Sequence, residues 1–368
     1  MIPRALDVVL AHDYLNQRGG AERVVVELMD AFPSAPLYTS MFRAKSTWPQ
    51  FRGRDIRTSP LQRLPVDACF RALFPLFPLA FRALGELDGD VVISSSSGWA
   101  HGVRTSPRAL HLVYCYTPAR WLYGEDYLAR PLVRRVLAPA LAAARRWDQR
   151  AARRADGYIA ISAFVADRIR HVYGIGAPVV YPPVEVGRFR PTPRGDRVLV
   201  VARLLRYKRV DVIVDAARAA GFGLDVVGTG PALARLREIA GPATTFHGAL
   251  DDASVAELMQ GCRALCIPGI EDFGITAVEA QAAGKPVVAF GAGGALETVQ
   301  EGVSGTFFHT QDTASVRAAL DACDAIQSSP QSIADSAQRF APERFRSDLR
   351  AAIARFQDAW PATNRGRG

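Results

Sequence analysis

The sequence predicts an α/β protein made of two doubly wound, parallel-sheet domains, and three observations carry that expectation. Short apolar runs alternate with stretches of helical periodicity along both halves of the chain, the pattern of parallel strands covered by helices on both faces. The segment Tyr181-Pro182-Pro183-Val184-Glu185 divides the halves, because its two prolines halt a helix and a central strand alike. A length of 368 residues, with 49% hydrophobic and 22% charged, suits two globular domains and excludes a disordered or fibrous chain.

In chain order, residues 7–11, 91–94, 110–114 and 157–161 read as strands of the first half, with helices at 21–31, 132–152 and 163–173. The second half repeats the pattern more regularly, with strands at 197–201, 224–227, 244–247, 264–267, 286–290 and 305–308 separated by helices. The expected domains are residues 1–183 and 184–341, followed by a last helix at 342–359. Residues 360–368 hold arginine and glycine without periodicity and are expected to fray. Near the amino terminus Asp7 interrupts the apolar stretch and no small-residue cleavage site follows, so a first strand is expected there rather than a signal peptide. The apolar run at 73–81 contains Pro75 and Pro78 and falls far short of the roughly 20 residues of a spanning helix.

The five cysteines, Cys69, Cys115, Cys262, Cys266 and Cys323, are scattered. They outline neither a disulfide framework nor a zinc site, and buried thiols in a reducing cytosol are expected. The formal charge of +9 is unevenly placed: residues 1–185 carry 24 Lys and Arg against 16 Asp and Glu, and residues 186–368 carry 21 against 20. Lys45, Lys208 and Lys285 are the only lysines, so the arginine excess partly reflects codon usage and points only weakly to nucleic acid. An anionic membrane surface or a phosphorylated acceptor accounts for the asymmetry better.

The most informative stretch is Pro268-Gly269-Ile270-Glu271-Asp272-Phe273-Gly274-Ile275-Thr276-Ala277-Val278-Glu279-Ala280. An apolar strand precedes it and helical periodicity begins at Ile275, so Glu271 stands at the mouth of a loop and Glu279 within the first turns of the next helix. Exposed amides and the positive end of the helix dipole favour phosphate, while carboxylates accept hydrogen bonds from ribose or sugar hydroxyls. A nucleotide sugar offers both. Two acids near a helix start are also favourable on electrostatic grounds alone. Arg203 and Lys208 follow the strand at 197–201, where ligands of such sheets bind, and fixed cations there would offset the charge of a leaving diphosphate. Gly19-Gly20 lets backbone amides approach a phosphate, though any strand-to-helix turn can use glycine.

At these residues the chain resembles the retaining glycosyltransferases of family 4. The matching set is ordered: Gly19-Gly20-Ala21-Glu22-Arg23-Val24, Arg203-Leu204-Leu205-Arg206-Tyr207-Lys208-Arg209, Gly228-Thr229-Gly230-Pro231, the E-x7-E pair Glu271 and Glu279, and Gly293-Gly294-Ala295-Leu296-Glu297. The resemblance spans nearly the whole chain. It implies the GT-B fold, two Rossmann-like doubly wound domains facing a central cleft, with the last helix crossing back to the first domain. It further implies that Arg203, Lys208 and Glu271 form the catalytic set. The donor would be held by Gly20, Gly228, Gly230, Phe273, Gly274, Ile275, Thr276, Glu279 and Gly294, with Gly20 at its diphosphate, Glu271 at the sugar hydroxyls and Glu279 at the ribose. His12-Asp13-Tyr14, Tyr114-Cys115-Tyr116-Thr117-Pro118 and the wording from Glu271 to Thr276 resemble the bacterial mannosyltransferase-like branch that builds O-antigen and exopolysaccharide. On the acceptor side the candidates are Asp13, His101, Tyr116 and Arg120. Tyr116 departs from the histidine that many relatives of this branch carry there, and a phenol titrating near pH 10 is a poor base.

The activity so implied is transfer of a hexose, with mannose from GDP-mannose favoured, to a hydroxyl of a glycan or polyprenyl-diphosphate-linked oligosaccharide. Retention by front-face substitution is expected, the leaving phosphate accepting the acceptor's proton. No cofactor or essential metal is expected, because Arg203, Lys208 and the helix terminus already offset the diphosphate charge. A nucleotide-sugar epimerase of the same fold, or a non-catalytic nucleotide-sugar-binding relative, is the alternative. A glycosidase has no use for phosphate-directed cations, and a dehydrogenase would require a G-x-G-x-x-G that Asn16-Gln17-Arg18-Gly19-Gly20-Ala21 does not supply. The expected location is cytoplasmic, with peripheral contact at the inner face of the plasma membrane and no nucleic-acid partner. The stretch at 70–82, with its flanking arginines, reads either as domain core or as that contact, supported by the basic helix at 132–154.

Overall fold

Val8-Val9-Leu10-Ala11-His12 forms a strand with every residue buried, and burial on both faces is why such strands read as unbroken apolar runs. The computed structural model describes residues 6–64, 74–124 and 131–360. They form two compact units. One runs through Tyr181 and resumes at Phe345, and the other is Pro182–Arg344.

The first unit contains β1 (Val8–His12), β2 (Leu37–Thr39), β3 (Ile56–Thr58), β4 (Glu86–Leu87), β5 (Val91–Ser96), β6 (Arg104–Thr105), β7 (Leu110–Cys115) and β8 (Gly157–Ala160). Its helices are α1 (Gly20–Ala31), α2 (Phe77–Arg82), α3 (Arg120–Tyr123), α4 (Pro131–Ala152) and α5 (Ala163–Tyr173). A six-stranded parallel sheet runs in the order β3-β2-β1-β5-β7-β8, and β4 pairs with β6 apart from it. The order reverses between β1 and β5, so loops leaving their carboxyl ends diverge and open a ligand position between them. Local chemistry sets the helix ends: the Ser162 hydroxyl accepts from the Val165 amide at 3.0 Å to start α5, and Gly174, at φ +73°, ends it.

The second unit contains β9 (Val198–Val201), β10 (Leu224–Val227), β11 (Thr244–Gly248), β12 (Ala264–Ile267), β13 (Val287–Phe290) and β14 (Gly305–Phe308). Between them run α6 (Val210–Ala220), α7 (Leu233–Ile239), α8 (Asp252–Gly261), α9 (Ile275–Ala282) and α10 (Ala295–Thr298), and after β14 follow α11 (Thr313–Asp324) and α12 (Pro330–Ala337). The parallel order is β11-β10-β9-β12-β13-β14, which, counted from the unit's own first strand, is the 3-2-1-4-5-6 order of nucleotide-binding doubly wound folds. Its switch point lies between β9 and β12.

The last helix, α13 (Pro342–Ala359), belongs to the first unit from Phe345 onward. Phe345 packs edge-on against Tyr114, ring centroids 5.7 Å apart, and Arg346 pairs with Glu27 at 2.8 Å. The Phe356 ring lies so close to Gly157 that a Cβ there would come within 2.4 Å of it. The sequence divided the chain at 183/184 and 341/342; the structural divisions follow Tyr181 and Arg344.

Of the two readings of 70–82, core or surface contact, the described residues from Phe74 onward place the aromatic rings in the core. Phe77 and Phe81 are fully buried, and Phe74 packs edge-on against Phe77 and Trp99, at 5.7 and 5.9 Å. These rings are core, which leaves Leu76 and Leu79 exposed, the latter at 62%. Residues 65–73, including Cys69, and residues 361–368 lie outside the described residues. Cys115, Cys262, Cys266 and Cys323 are buried and unbridged, and burial pushes the Cys262 thiol up to about 12. Among the described residues no helix is long and apolar enough to cross a membrane.

Candidate functional site

In the second unit, the chain leaving β9 is laid against the loop after β10. The Leu204 amide donates to Thr229 O at 2.9 Å and the Ala232 amide to Leu204 O at 3.0 Å. A Cβ on Gly228 would fall 1.9 Å from Ala202 O, and one on Gly230 2.4 Å from Leu204 O. These two glycines therefore seat the loop that carries Arg203, which is exposed at the carboxyl end of the strand. A single 3-10 turn, Arg206–Lys208, then brings Lys208 towards the loop after β12.

The two loops meet closely. A Cβ on Gly269 would lie 2.9 Å from Lys208 Cα, so backbone touches backbone there. Lys208 Nζ donates to both carboxylate oxygens of Glu271, each at 2.6 Å, with side chains 13% and 21% exposed. Behind Glu271, the Gly294 amide donates to its carbonyl at 2.8 Å, and a Cβ on Gly294 would strike Phe273 Cα at 2.4 Å. The Phe273 ring is buried edge-on against Phe340, at 5.3 Å, so this residue offers a ligand its backbone and not its ring. Gly274, at φ +96°, turns the chain into α9, a helix start with no side-chain cap. The amides of the half-buried Ile275 and Thr276 stand in its first turn, where no intrahelical acceptor exists.

Glu279 is buried about one turn further along α9. Arg188 Nη2 lies 3.5 Å from its Oε1, while Nη1 pairs with Asp252 at 3.2 Å. The Arg188 guanidinium also lies 4.7 Å over the Phe189 ring. Arg188 was not among the sequence candidates: it stands 91 residues from Glu279, outside any motif. Thus a helix start, the cations Lys208 and Arg188 and the carboxylates Glu271 and Glu279 gather on the carboxyl side of the β9/β12 switch point, with Arg203 exposed on the loop after β9. That set can hold an anion and hydroxyls at once.

The first unit is different. Asp13, expected to face an acceptor hydroxyl, is 1% exposed. Its Oδ1 accepts from the Trp99 and Ala100 amides at 2.9 and 2.6 Å, and its Oδ2 from the Ser97 amide and hydroxyl at 2.6 and 2.9 Å. The carboxylate is consumed in shaping the loop after β5 and has no lone pair to spare for substrate. His101 is also buried, with Nδ1 3.3 Å from Ser96 Oγ and Nε2 3.2 Å from Asp148 Oδ1, so it packs the interior rather than facing an acceptor. The Tyr116 hydroxyl lies 2.8 Å from Ser95 Oγ and donates to Ala21 O at 3.0 Å, and burial holds it well above the ordinary phenol range. It ties the end of β7 to the start of α1. Arg120, half-buried, opens α3. Asp88-Gly89-Asp90 has the spacing of a metal-binding triplet, but Asp88 accepts from Ser106 Oγ at 2.6 Å and Asp90 from the Asp7 amide at 2.9 Å.

Gly19 and Gly20 begin α1 at the β1/β5 switch point, and here Glu22 folds back beneath the turn. Gln17 Nε2 donates to its Oε1 at 2.9 Å, and a Cβ on Gly19 would meet its Oε2 at 2.5 Å. The carboxyl thus packs directly beneath Gly19, and a side chain there would have to displace it. Burial raises the Glu22 pKa above the ordinary carboxyl value.

Two family models match consecutive stretches of the chain. Residues 18–188 match the model described as Glycosyltransferase Family 4, and residues 189–340 match Glycosyl transferases group 1. The chain is similar to the GDP-mannose-dependent alpha-(1-6)-phosphatidylinositol monomannoside mannosyltransferase of Mycobacterium tuberculosis (strain ATCC 25618 / H37Rv), 34% identical over 39% of this chain and 46% of that protein. It is also similar to the D-inositol 3-phosphate glycosyltransferase of Mycobacterium leprae (strain TN), 30% identical over 43% of this chain and 42% of that one. The chain thus spans less than half the length of these curated relatives. The crystal structure of Anabaena Alr3699/HepE in complex with UDP-glucose shares the fold, with a TM-score of 0.70 at 18% identity over 95% of this chain and 99% of that one.

Proposed function

We propose that this chain, whose residues 18–188 match the Glycosyltransferase Family 4 model and 189–340 the Glycosyl transferases group 1 model, is a glycosyltransferase of GT-B fold that transfers a hexose from a nucleoside diphosphate sugar to a hydroxyl, retaining anomeric configuration. The observation that carries this reading is the meeting of Lys208 with Glu271 beside the uncapped start of α9. Arg203, Lys208 and the first amides of α9 would stabilise the diphosphate as the glycosidic bond breaks. Glu271 would accept from hydroxyls of the transferred sugar, and Glu279 from the ribose. Gly228, Gly230 and Gly294 would serve by seating these loops, and Gly20 by presenting amides at the start of α1. The leaving phosphate would take the acceptor's proton, and the cations at hand would make a metal unnecessary.

Mannose from GDP-mannose is the donor we favour, since one curated relative is GDP-mannose-dependent by name. The acceptor would be a glycan or a polyprenyl-diphosphate-linked oligosaccharide, as in O-antigen or exopolysaccharide synthesis, taken by the amino-terminal domain, residues 1–183. Peripheral contact with the inner face of the plasma membrane would rest on exposed Leu76, Leu79 and the α4 arginines Arg135, Arg146 and Arg150.

The test is a thermal-shift panel followed by transfer of label. A ligand that binds only the folded state at a hundred times its Kd stabilises by about 2.7 kcal/mol, so GDP and GDP-mannose should raise Tm more than UDP and UDP-glucose. Label from GDP-mannose should then reach a lipid-linked oligosaccharide. Absence of any nucleotide shift, or isomerisation of the donor sugar without acceptor, overturns the proposal.

A further inference from the structure

Arg209, at φ +51°, is the sole non-glycine residue with positive φ among the described residues. That conformation costs an ordinary residue about 1–2 kcal/mol and persists only where the surroundings hold it. Here a side chain from a distant loop does so. Arg209 Nη1 donates to Gln311 Oε1 at 2.6 Å, Gln311 Nε2 donates to Pro268 O at 2.7 Å, and Arg209 Nε reaches Asp211 at 3.3 Å. Both ends of the Gln311 amide are thereby used. Its acceptor end holds the residue after Lys208, and its donor end holds a carbonyl three residues before Glu271.

We propose that Gln311, acting with Arg209, is a positioning residue that sets the register of the Lys208 loop against the Glu271 loop. The inference rests on the reading of Lys208 and Glu271 as donor-handling groups. The contact at Gly269 keeps the two backbones touching, and the Lys208–Glu271 pair joins them only through two flexible side chains, so neither alone stops one loop pivoting on the other. The amide bridge ties the Arg209 guanidinium of one loop and the Pro268 carbonyl of the other to a third loop, and it removes the pivot. Misplacing a reacting group by about 1 Å can lower a rate a hundredfold. The two Gln311 bonds go to Arg209 and to Pro268 O, on the loops that carry Lys208 and Glu271, so the bridge should govern turnover more than nucleotide affinity.

Gln311→Met keeps the side-chain volume and removes both hydrogen bonds, and Arg209→Gly removes the bridge while relieving the backbone strain. Each should lower kcat about tenfold with KM changed less than about twofold, and the double variant should lose no more than the worse single, because both remove one interaction. Arg209→Gly should also keep or raise Tm. A merely structural staple would leave its kcat intact. Amide hydrogen exchange supplies a readout independent of activity: in Gln311→Met, residues 205–210 and 269–274 should both exchange faster, by about tenfold, with β13 unchanged. Faster exchange in one loop only, or in neither, or additive losses in the double variant, overturns the clamp. If the wild-type protein proves to transfer nothing, the activity reading fails and the exchange result still decides the clamp.

Discussion

Replacing Glu271 with glutamine should tighten the binding of free nucleoside diphosphate. The reason lies in the Lys208 ammonium, which sits 2.6 Å from both Glu271 oxygens in a partly buried position. A diphosphate that recruits this ammonium must draw it away from the carboxylate. At a charge separation near 4 Å and an effective dielectric of ~20 the attraction is about 4 kcal/mol before desolvation and side-chain ordering. Measured pairs near a surface retain about 1 kcal/mol or less of that. Glutamine keeps the shape and removes both the competing charge and its repulsion of the incoming anion, so a gain of about 1 kcal/mol, roughly fivefold in Kd, is expected. The intact nucleotide sugar should behave oppositely. It would lose hydrogen bonds from sugar hydroxyls to a charged acceptor, worth about 1.5–3 kcal/mol, more than the gain. Titration calorimetry of Glu271→Gln with GDP and with GDP-mannose, at low salt, measures both changes. Parallel weakening of the two ligands would refute the reasoning, since it would mean that Glu271 supports the diphosphate instead of competing for Lys208.

Lys208→Ala should lower turnover by about a hundredfold, the scale for losing one preorganised electrostatic group, and near-normal turnover in the folded variant would remove Lys208 from the mechanism. Phe77→Ala should destabilise the protein by about 3–5 kcal/mol in urea unfolding, because its buried ring packs against Phe74, Trp99 and Tyr14; a loss under about 1 kcal/mol would return the stretch to the surface. Burial, with His101 and Arg154 nearby, pushes the pKa of His111 down to about 3 from 6.5. The unfolded chain therefore takes up a proton that the folded one resists, and this contribution to stability is present above about 6.5 and lost as pH falls towards 3. His111→Gln should flatten that slope, and an unchanged slope would show that other groups set it.

The sheets were legible because parallel strands covered on both faces spell themselves as apolar runs, as in Leu224–Val227 and Ala264–Ile267. β2 and β3 were not, being only three residues long, and β3 is nowhere fully buried. In the site, Lys208, Glu271 and Glu279 stand in contiguous motifs whose glycines mark loops. Arg188, which pairs with Glu279, and Gln311, which bonds Arg209, carry no local signal, since those hydrogen bonds span 91 and 102 residues. Asp13 is the reverse case. A carboxylate just past a strand end looks like a site, and only the folded loop, with its amides 84 to 87 residues away, shows that its lone pairs are already used.

The placement of α13 bears on how the molecule is made. The sheet of the first unit emerges from the ribosome early, yet the ring of Phe345 against Tyr114 and the ring of Phe356 over Gly157 arrive only after the whole of Pro182–Arg344 has been synthesised. At 5–20 residues per second that interval is on the order of 10–30 s. Through it, Tyr114 lacks one of its ring partners and Gly157 lies uncovered, so the nascent first unit is an unfinished core in search of a helix. Its natural hazard is therefore capture of the wrong apolar segment during synthesis.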